Sequence, residues 1–177
     1  YDGPWLDHEK LIISKEAFKT SCLDTFMVDP GTRYELAVCL EVAEHLNESS
    51  ADNLVLQLTN LADRILFSAA IPGQGGLHHI NEQPPEYWKR KFNRLGFRQK
   101  DTLRPKIWND DRIAWWYRQN IFIYEKSTEP ENCLHDSFDG NYLVHPDAFR
   151  EKLKEMDIDN ISIRNLCKAL LRKIVKL

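Results

Sequence analysis

Glu41, Glu44 and His45 stand at positions i, i+3 and i+4, a spacing that brings side chains to one face of a helix. Further along, His78 and His79 are followed closely by Asn81 and Glu82. Two carboxylates and an imidazole, joined by a second imidazole, offer oxygen and nitrogen ligands to a divalent cation. The set Glu41, Glu44, His45 and His79 suits Mg²⁺ or Mn²⁺ by its carboxylate count. The alternative is that Glu41 meets a bound molecule while Glu44 and His45 cap and brace the helix. His79, Asn81, Glu82, Tyr87 and Trp88 form a second constellation, the wall of a substrate pocket. His79 removes a proton there, with Glu41 and Glu82 as the carboxylates of the catalytic set. Asn81 hydrogen-bonds the substrate, and Tyr87 and Trp88 give it an apolar face. Against this stands a structured loop in which His78 and Asn81 only satisfy backbone groups. The run Pro72-Gly-Gln-Gly-Gly76 suits a turn or lid hinge, because no Lys-Ser/Thr follows to complete a phosphate-binding loop.

These groups need elements to position them. Leu36–Leu40 is a short apolar run with the character of a buried strand, and it feeds helical spacing over Glu41–Leu46. Ala51–Leu61 has helical spacing again, and Arg64–Ala70 is a second strand. Residues 16–22 lead into a further short strand. Pro84-Pro85 starts a helix over Glu86–Leu95 with Tyr87, Trp88, Phe92 and Leu95 on nearly one face, and Gly96-Phe97 ends it. Ile107–Trp116 and Gln119–Tyr124, aromatic and β-branched, suit closing antiparallel strands. A strand-helix-strand rhythm predicts a largely parallel α/β sheet. In such sheets ligands bind beyond the carboxyl ends of the strands, where Glu41 and the His78–Glu82 loop fall.

Composition bounds the function. The chain has 177 residues, 42% of them hydrophobic, and a net charge of −3. One sizeable core with an appendage is the expectation. The charge argues against general nucleic-acid binding, which needs a basic surface. Cys22, Cys39, Cys133 and Cys167 form no C-x-x-C pair, so neither a zinc site nor a disulfide framework is indicated. No segment has the length and apolarity of a membrane span and no signal peptide is visible, which makes cytoplasm the expected location. Composition changes after Glu125, dividing the chain into a core at 1–126 and an extension at 127–177. Ser127–Asp139 has linker character, and helical stretches follow over Asp147–Met156 and Asn160–Leu177. The second carries an apolar stripe (Ile163, Leu166, Cys167, Leu170, Ile174, Leu177) beside Arg164, Lys168, Arg172, Lys173 and Lys176. Such a basic amphipathic helix contacts an anionic membrane or acidic partner, or packs on its own domain or a second subunit.

The run Tyr34-Glu-Leu-Ala-Val-Cys-Leu-Glu-Val-Ala-Glu-His-Leu46 resembles the segment after the fourth strand of class I S-adenosylmethionine-dependent methyltransferases. Ile65 to Trp88, with its Pro-Gly-Gln-Gly-Gly and His-His-Ile-Asn-Glu-Gln stretches, resembles their fifth strand and following loop. Trp115 to Tyr124 resembles their last strand. The resemblance covers residues 1–126. It implies a Rossmann-like sheet of strand order 3-2-1-4-5-7-6, S-adenosylmethionine as cofactor, and methyl transfer to a small hydroxylated or sugar-like metabolite. By the same resemblance Asp2 falls where an acid bonds the ribose hydroxyls. Cys22-Leu23 falls where an Asp-Leu pair meets adenine, with Asp24 as substitute, and Leu40 and Glu41 line the cofactor. Metal-dependent branches share the E-x-x-E-H pattern with a downstream histidine. Trp108, Trp115 and Trp116 are packing residues on this reading rather than adenine-stacking ones. The family's glycine-rich loop precedes everything seen here. The chain is therefore expected to be the carboxyl-terminal two thirds of such an enzyme, incomplete at its N-terminus and a weak cofactor binder alone. The competing expectation is a degenerate, non-catalytic interaction module.

Overall fold

Four short segments build one sheet: β1 (Ala37–Leu40), β2 (Arg64–Ser68), β3 (Phe97–Lys100) and β4 (Phe122–Lys126), in the order β1-β2-β4-β3. The computed structural model describes residues 1–3, 6, 7, 9, 11–128, 142–156, 162 and 163. β1 and β2 are parallel, with Ala37 opposite Ile65 and Leu40 opposite Ser68. β4 runs antiparallel to both its neighbours, placing Tyr124 opposite Ile65 on one side and Gln99 on the other. The period of two along each strand sends Ala37, Cys39, Ile65, Phe67, Phe122 and Tyr124 into a single buried cluster.

Two helices cover that face. The helix α1 (Ala51–Leu61) contributes Leu54, Val55, Leu58 and Leu61, and α2 (Pro85–Arg94) contributes Trp88 and Phe92. Phe92 stacks on Tyr124 with ring centroids 3.9 Å apart, and Phe67 meets Phe92 edge-on. Both helices stop for local reasons. The Arg33 guanidinium donates to the Thr59 and Asn60 carbonyls at the end of α1, as a cation should at a helix C-terminus. Pro85 begins α2, where its missing N–H costs nothing. Gly96 follows α2 in the left-handed conformation at φ 80° that a closing residue needs. The other face of the sheet is more open, with Val38 57% exposed.

The expected strand at Gln119–Tyr124 begins only at Phe122. The expected strand over Ile107–Trp116 is instead the turn α3 (Arg104–Ile107) and the start of α4 (Trp115–Asn120). Trp115, Arg118 and Gln119 are buried at i, i+3 and i+4, so tertiary packing overrides the β character of the aromatic run. Arg104, only 2% exposed, fixes the arrangement. It pairs with Asp101, donates to the Gln119 carbonyl at 3.3 Å and lies 4.1 Å from the centre of the Phe122 ring. The expected strand after residues 16–22 reduces to a 3-10 turn (Lys15–Ala17) and one parallel bridge, Asp2 to Thr20. β3 had no counterpart in the sequence reading.

The chain forms two compact units, Tyr1–Leu143 and Val144–Leu177. In the second, α5 (Pro146–Met156) corresponds to the expected helix over Asp147–Met156. The helix expected over 160–177 lies, apart from residues 162 and 163, outside the described residues, as do residues 129–139 of the expected linker. No described helix is long and apolar enough to cross a membrane.

Candidate functional site

β1 delivers Glu41 to its carboxyl end, but no helix follows at once. Glu41 takes a left-handed φ of 51°, and a 3-10 turn over Ala43–His45 comes next. The expectation of one helical face carrying Glu41, Glu44 and His45 is therefore corrected. The physical reason lies at the strand end: the Glu41 amide donates to the Ser68 carbonyl at 3.0 Å and to the Ser68 hydroxyl at 3.1 Å. Staying attached to β2 keeps Glu41 out of a helix, although its carboxylate remains close enough to Glu44 to act on it.

Glu41 sits in an amide network. Its carboxylate accepts from Gln74 at 3.1 Å and from Asn120 at 3.3 Å. The Gln74 carbonyl oxygen in turn accepts from Asn120 and Gln119. This ties together the ends of β1 and α4 and the loop after β2. Gln74, Gln119 and Asn120 were missed in the sequence, the last two because they were read as part of a strand.

Glu44 is fully buried at 0% exposure, and neither carboxylate oxygen has a hydrogen-bond partner among the described residues. Burial, and next the nearby Glu41 charge, holds its carboxyl well above the usual carboxylate range. The same corner pushes the Cys39 thiol up to about 12, through burial and then the Glu44 and Glu41 charges. His79 brings Nε2 to 4.0 Å from Glu44 Oε1. Its ring meets the His45 ring edge-on at 4.8 Å between centroids. One ligand atom from each of Glu44, His45 and His79 falls within 4.8 Å of the others. Glu41 is not part of this group, so of the four expected metal ligands three converge.

The loop after β2 holds His79 in place. Its Nδ1 lies 3.0 Å from Glu82 Oε1. Glu82 also accepts from the Gly73 and Gly75 amides, each at 2.7 Å. Burial works against the Glu82 charge, but the bonds from His79 and the two amides outweigh it and hold its carboxyl below the usual range. The glycine run thus cradles a carboxylate of the chain itself. Gly76 serves differently. A Cβ there would lie 2.4 Å from His79 Nε2, so only glycine lets the ring lie so close. Gly76→Ala is expected to cost about 1–3 kcal/mol, the range for overpacking a filled site, and to displace His79. Denaturant unfolding and the His79 imidazole NMR shifts would check it, and unchanged shifts would exclude the close approach.

The other expected site residues divide. The Asn81 side chain is buried, donating to the Ala43 carbonyl and accepting from Gln83, while the Ile80 and Asn81 amides both donate to the Glu44 carbonyl. Asn81 thereby fastens the histidine loop to the turn after β1. Trp88 is 2% exposed and packs on Phe67, a core position, while Tyr87 is half-buried beside Lys91. Leu40 is half-buried at the end of β1. Asp2 accepts from the Gly3 amide at 2.7 Å. Cys22 is exposed, and Leu23 packs against the core. Asp24 Oδ1 accepts from the Asn47 amide and side chain and from the Ser50 hydroxyl. The Ser50 bond leads in holding the Asp24 carboxyl below its ordinary range. Asp24 therefore braces the entry to α1.

The fold is a small mixed α/β one with a four-stranded sheet and several helices. No protein-family model, curated protein or solved structure matches the chain.

Proposed function

We propose that this chain carries the closing part of a Rossmann-like class I methyltransferase, which moves a methyl group from S-adenosylmethionine to a hydroxyl of a small hydroxylated or sugar-like metabolite in the cytoplasm. The observation that carries the reading is strand order. The family's closing strands 4-5-7-6 have one reversed strand inserted beside the last parallel pair, and β1-β2-β4-β3 with its antiparallel β4 agrees with that pattern. Glu41 and the His79 loop then follow the carboxyl ends of two adjacent parallel strands, where open α/β sheets bind ligands.

The sulfonium is an activated donor, so the protein's work is alignment and proton removal. S-adenosylmethionine bound here would supply the methyl group to the acceptor oxygen, its sulfur keeping the electron pair of the broken S–CH₃ bond as S-adenosylhomocysteine. His79 Nε2 takes the hydroxyl proton, while Glu82 on Nδ1 fixes the ring and stabilises its charged form. Glu41, anchored by Gln74 and Asn120, faces the cofactor in this scheme, and Asp2 bonds the ribose.

Photolabelling with methyl-labelled S-adenosylmethionine tests the reading, because it registers weak binding as well as strong. Label that unlabelled S-adenosylhomocysteine competes away is expected near Glu41. Asp2→Ala should weaken the interaction by about 1–3 kcal/mol, the range for stranding polar partners in a binding site. Label that resists competition would overturn the proposal.

A further inference from the structure

Six of the chain's 24 lysines and arginines fall between Lys89 and Lys100, a stretch that holds no acid, although the whole chain carries a net charge of −3. The helix α2 and the strand β3 gather them on the surface. Trp88 and Phe92 turn the apolar side of α2 into the core, so its basic side chains stand outward. We propose that the groove along this side of α2 docks an acidic, extended segment of a partner protein. The groove has a volume of about 310 Å³ and is lined by Tyr87, Arg90, Lys91 and Arg94, with Gln83 and Pro84 at one end.

The charge here is only partly answered from within the chain. Glu86 serves both Lys89 at 3.7 Å and Arg90 at 3.5 Å, and Lys91 bonds Asp52 at 2.6 Å. Arg98 donates to the Asn93 and Phe97 carbonyls rather than to an acid. Arg94 and Lys100 are exposed and meet no acid among the described residues. The Arg90 side chain is 72% exposed, and an exposed pair of this kind contributes little. Its guanidinium can therefore leave Glu86 for a better placed carboxylate.

Spacing selects the form of the partner. Arg90 and Arg94 stand one helical turn apart, about 6 Å along the axis. Alternate residues of an extended chain advance by about 6.6 Å, so acids at i and i+2 of such a segment meet the two guanidiniums in turn. Each pair has the two-pronged geometry that arginine offers a carboxylate. Other polyanions fit less well. Single-stranded nucleic acid needs open aromatic faces for its bases, and the Tyr87 ring is covered by Lys91 Nζ at 4.6 Å and abuts Trp88 edge-on. An anionic membrane needs an apolar helix face to insert, and α2 has committed its own to the core. At the Gln83 end the groove adjoins the histidine loop, since the Gln83 side chain donates to Asn81 at 2.9 Å.

The test is fluorescence anisotropy of the 177-residue chain with three labelled probes: a peptide of alternating glutamate and alanine, the same peptide with glutamine for every glutamate, and single-stranded oligouridylate. Micromolar binding of the glutamate peptide is expected, weakening as salt is added, with the glutamine peptide inert. Arg94→Gln should weaken binding about tenfold, and combining it with Arg90→Gln should weaken it further, the scale of losing charge-assisted hydrogen bonds. Arg112→Gln removes the same charge from a side chain that is 89% exposed in the loop before α4, and should change nothing. In NMR spectra the peptide should shift the Gln83 side-chain amide together with the α2 amides. Equal losses from Arg94→Gln and Arg112→Gln would reduce the effect to general charge attraction and overturn the groove. Absence of glutamate-peptide binding below millimolar concentration, or tighter binding of oligouridylate, would overturn it as well.

Discussion

His79→Ala is expected to slow methyl transfer about a hundredfold or more while leaving S-adenosylmethionine affinity within a fewfold of the wild type. The size follows from the role. A positioned base contributes roughly 10²–10⁴-fold, and His79 is held by Glu82 on one side and faces Glu44 on the other. The selectivity follows from placement, since the loop after β2 lies on the acceptor side in the proposed scheme whereas the Glu41 network lies on the cofactor side. Initial rates with methyl-labelled donor and a panel of polyols and sugars, alongside direct cofactor titration, provide both readings. Partial rescue by added imidazole would identify the lost group as a proton acceptor. A loss of only a fewfold would reduce His79 to positioning, and an unchanged rate would remove it from the reaction.

The metal-free protein is expected to lose stability as pH rises through neutrality, and Glu44→Gln to abolish most of that loss. Burial raises the Glu44 carboxyl in the folded chain above its unfolded range near 4.5. Between the two values the folded state holds a proton that the unfolded state has released. Stability therefore falls with rising pH by at most ~1.4 kcal/mol per unit for this one group, and levels off above the folded value. Glutamine has no proton to lose, so the variant should be the more stable protein at pH 8, by roughly 2–4 kcal/mol for a shift of a few units. Urea denaturation across pH 5–9 measures both curves. Parallel curves for the two proteins would mean that Glu44 is solvated in solution.

Much of the core was legible because its elements follow simple periodicities. Ala51–Leu61 repeats its apolar residues at helical intervals between Arg33 and Asp24, which engage its two ends. The strand expected over Arg64–Ala70 occurs as Arg64–Ser68, and the helix expected over Glu86–Leu95 from the tandem prolines occurs as Pro85–Arg94. The errors came where a remote partner decides the local conformation. Trp115–Asn120 looks like a strand until the buried Arg104 and its bond to Gln119 are known. Glu41 looks like the first turn of a helix until its amide is seen bonded to Ser68, 27 residues away. The candidate site divides in the same way. The convergence of His79 with Glu44 and His45 was readable from residue type and spacing. The capture of Glu41 by Gln74 and Asn120 was not, because amide side chains give no sequence signal of what they will bind. Gly76 was visible as part of a flexible run, yet its use is steric and depends on where the His79 ring lies.

The glycine turn after β2 has the makings of a receptor for inorganic anions, with two backbone amides aimed at the two oxygens of one carboxylate. Glu82 already fills it. Sulfate, phosphate and the phosphoryl tails of nucleotides thus meet a tethered competitor whose effective concentration, set by a span of a few residues, is in the millimolar range or above. The loop is self-inhibited towards such ligands, and activity measured in phosphate buffer should match that in an organic buffer of equal ionic strength. Neutralising Glu82 would vacate the turn. The carboxylate that orients His79 would then give way to an oxyanion, and a single base change of this kind should turn a loop indifferent to phosphate into one that binds it.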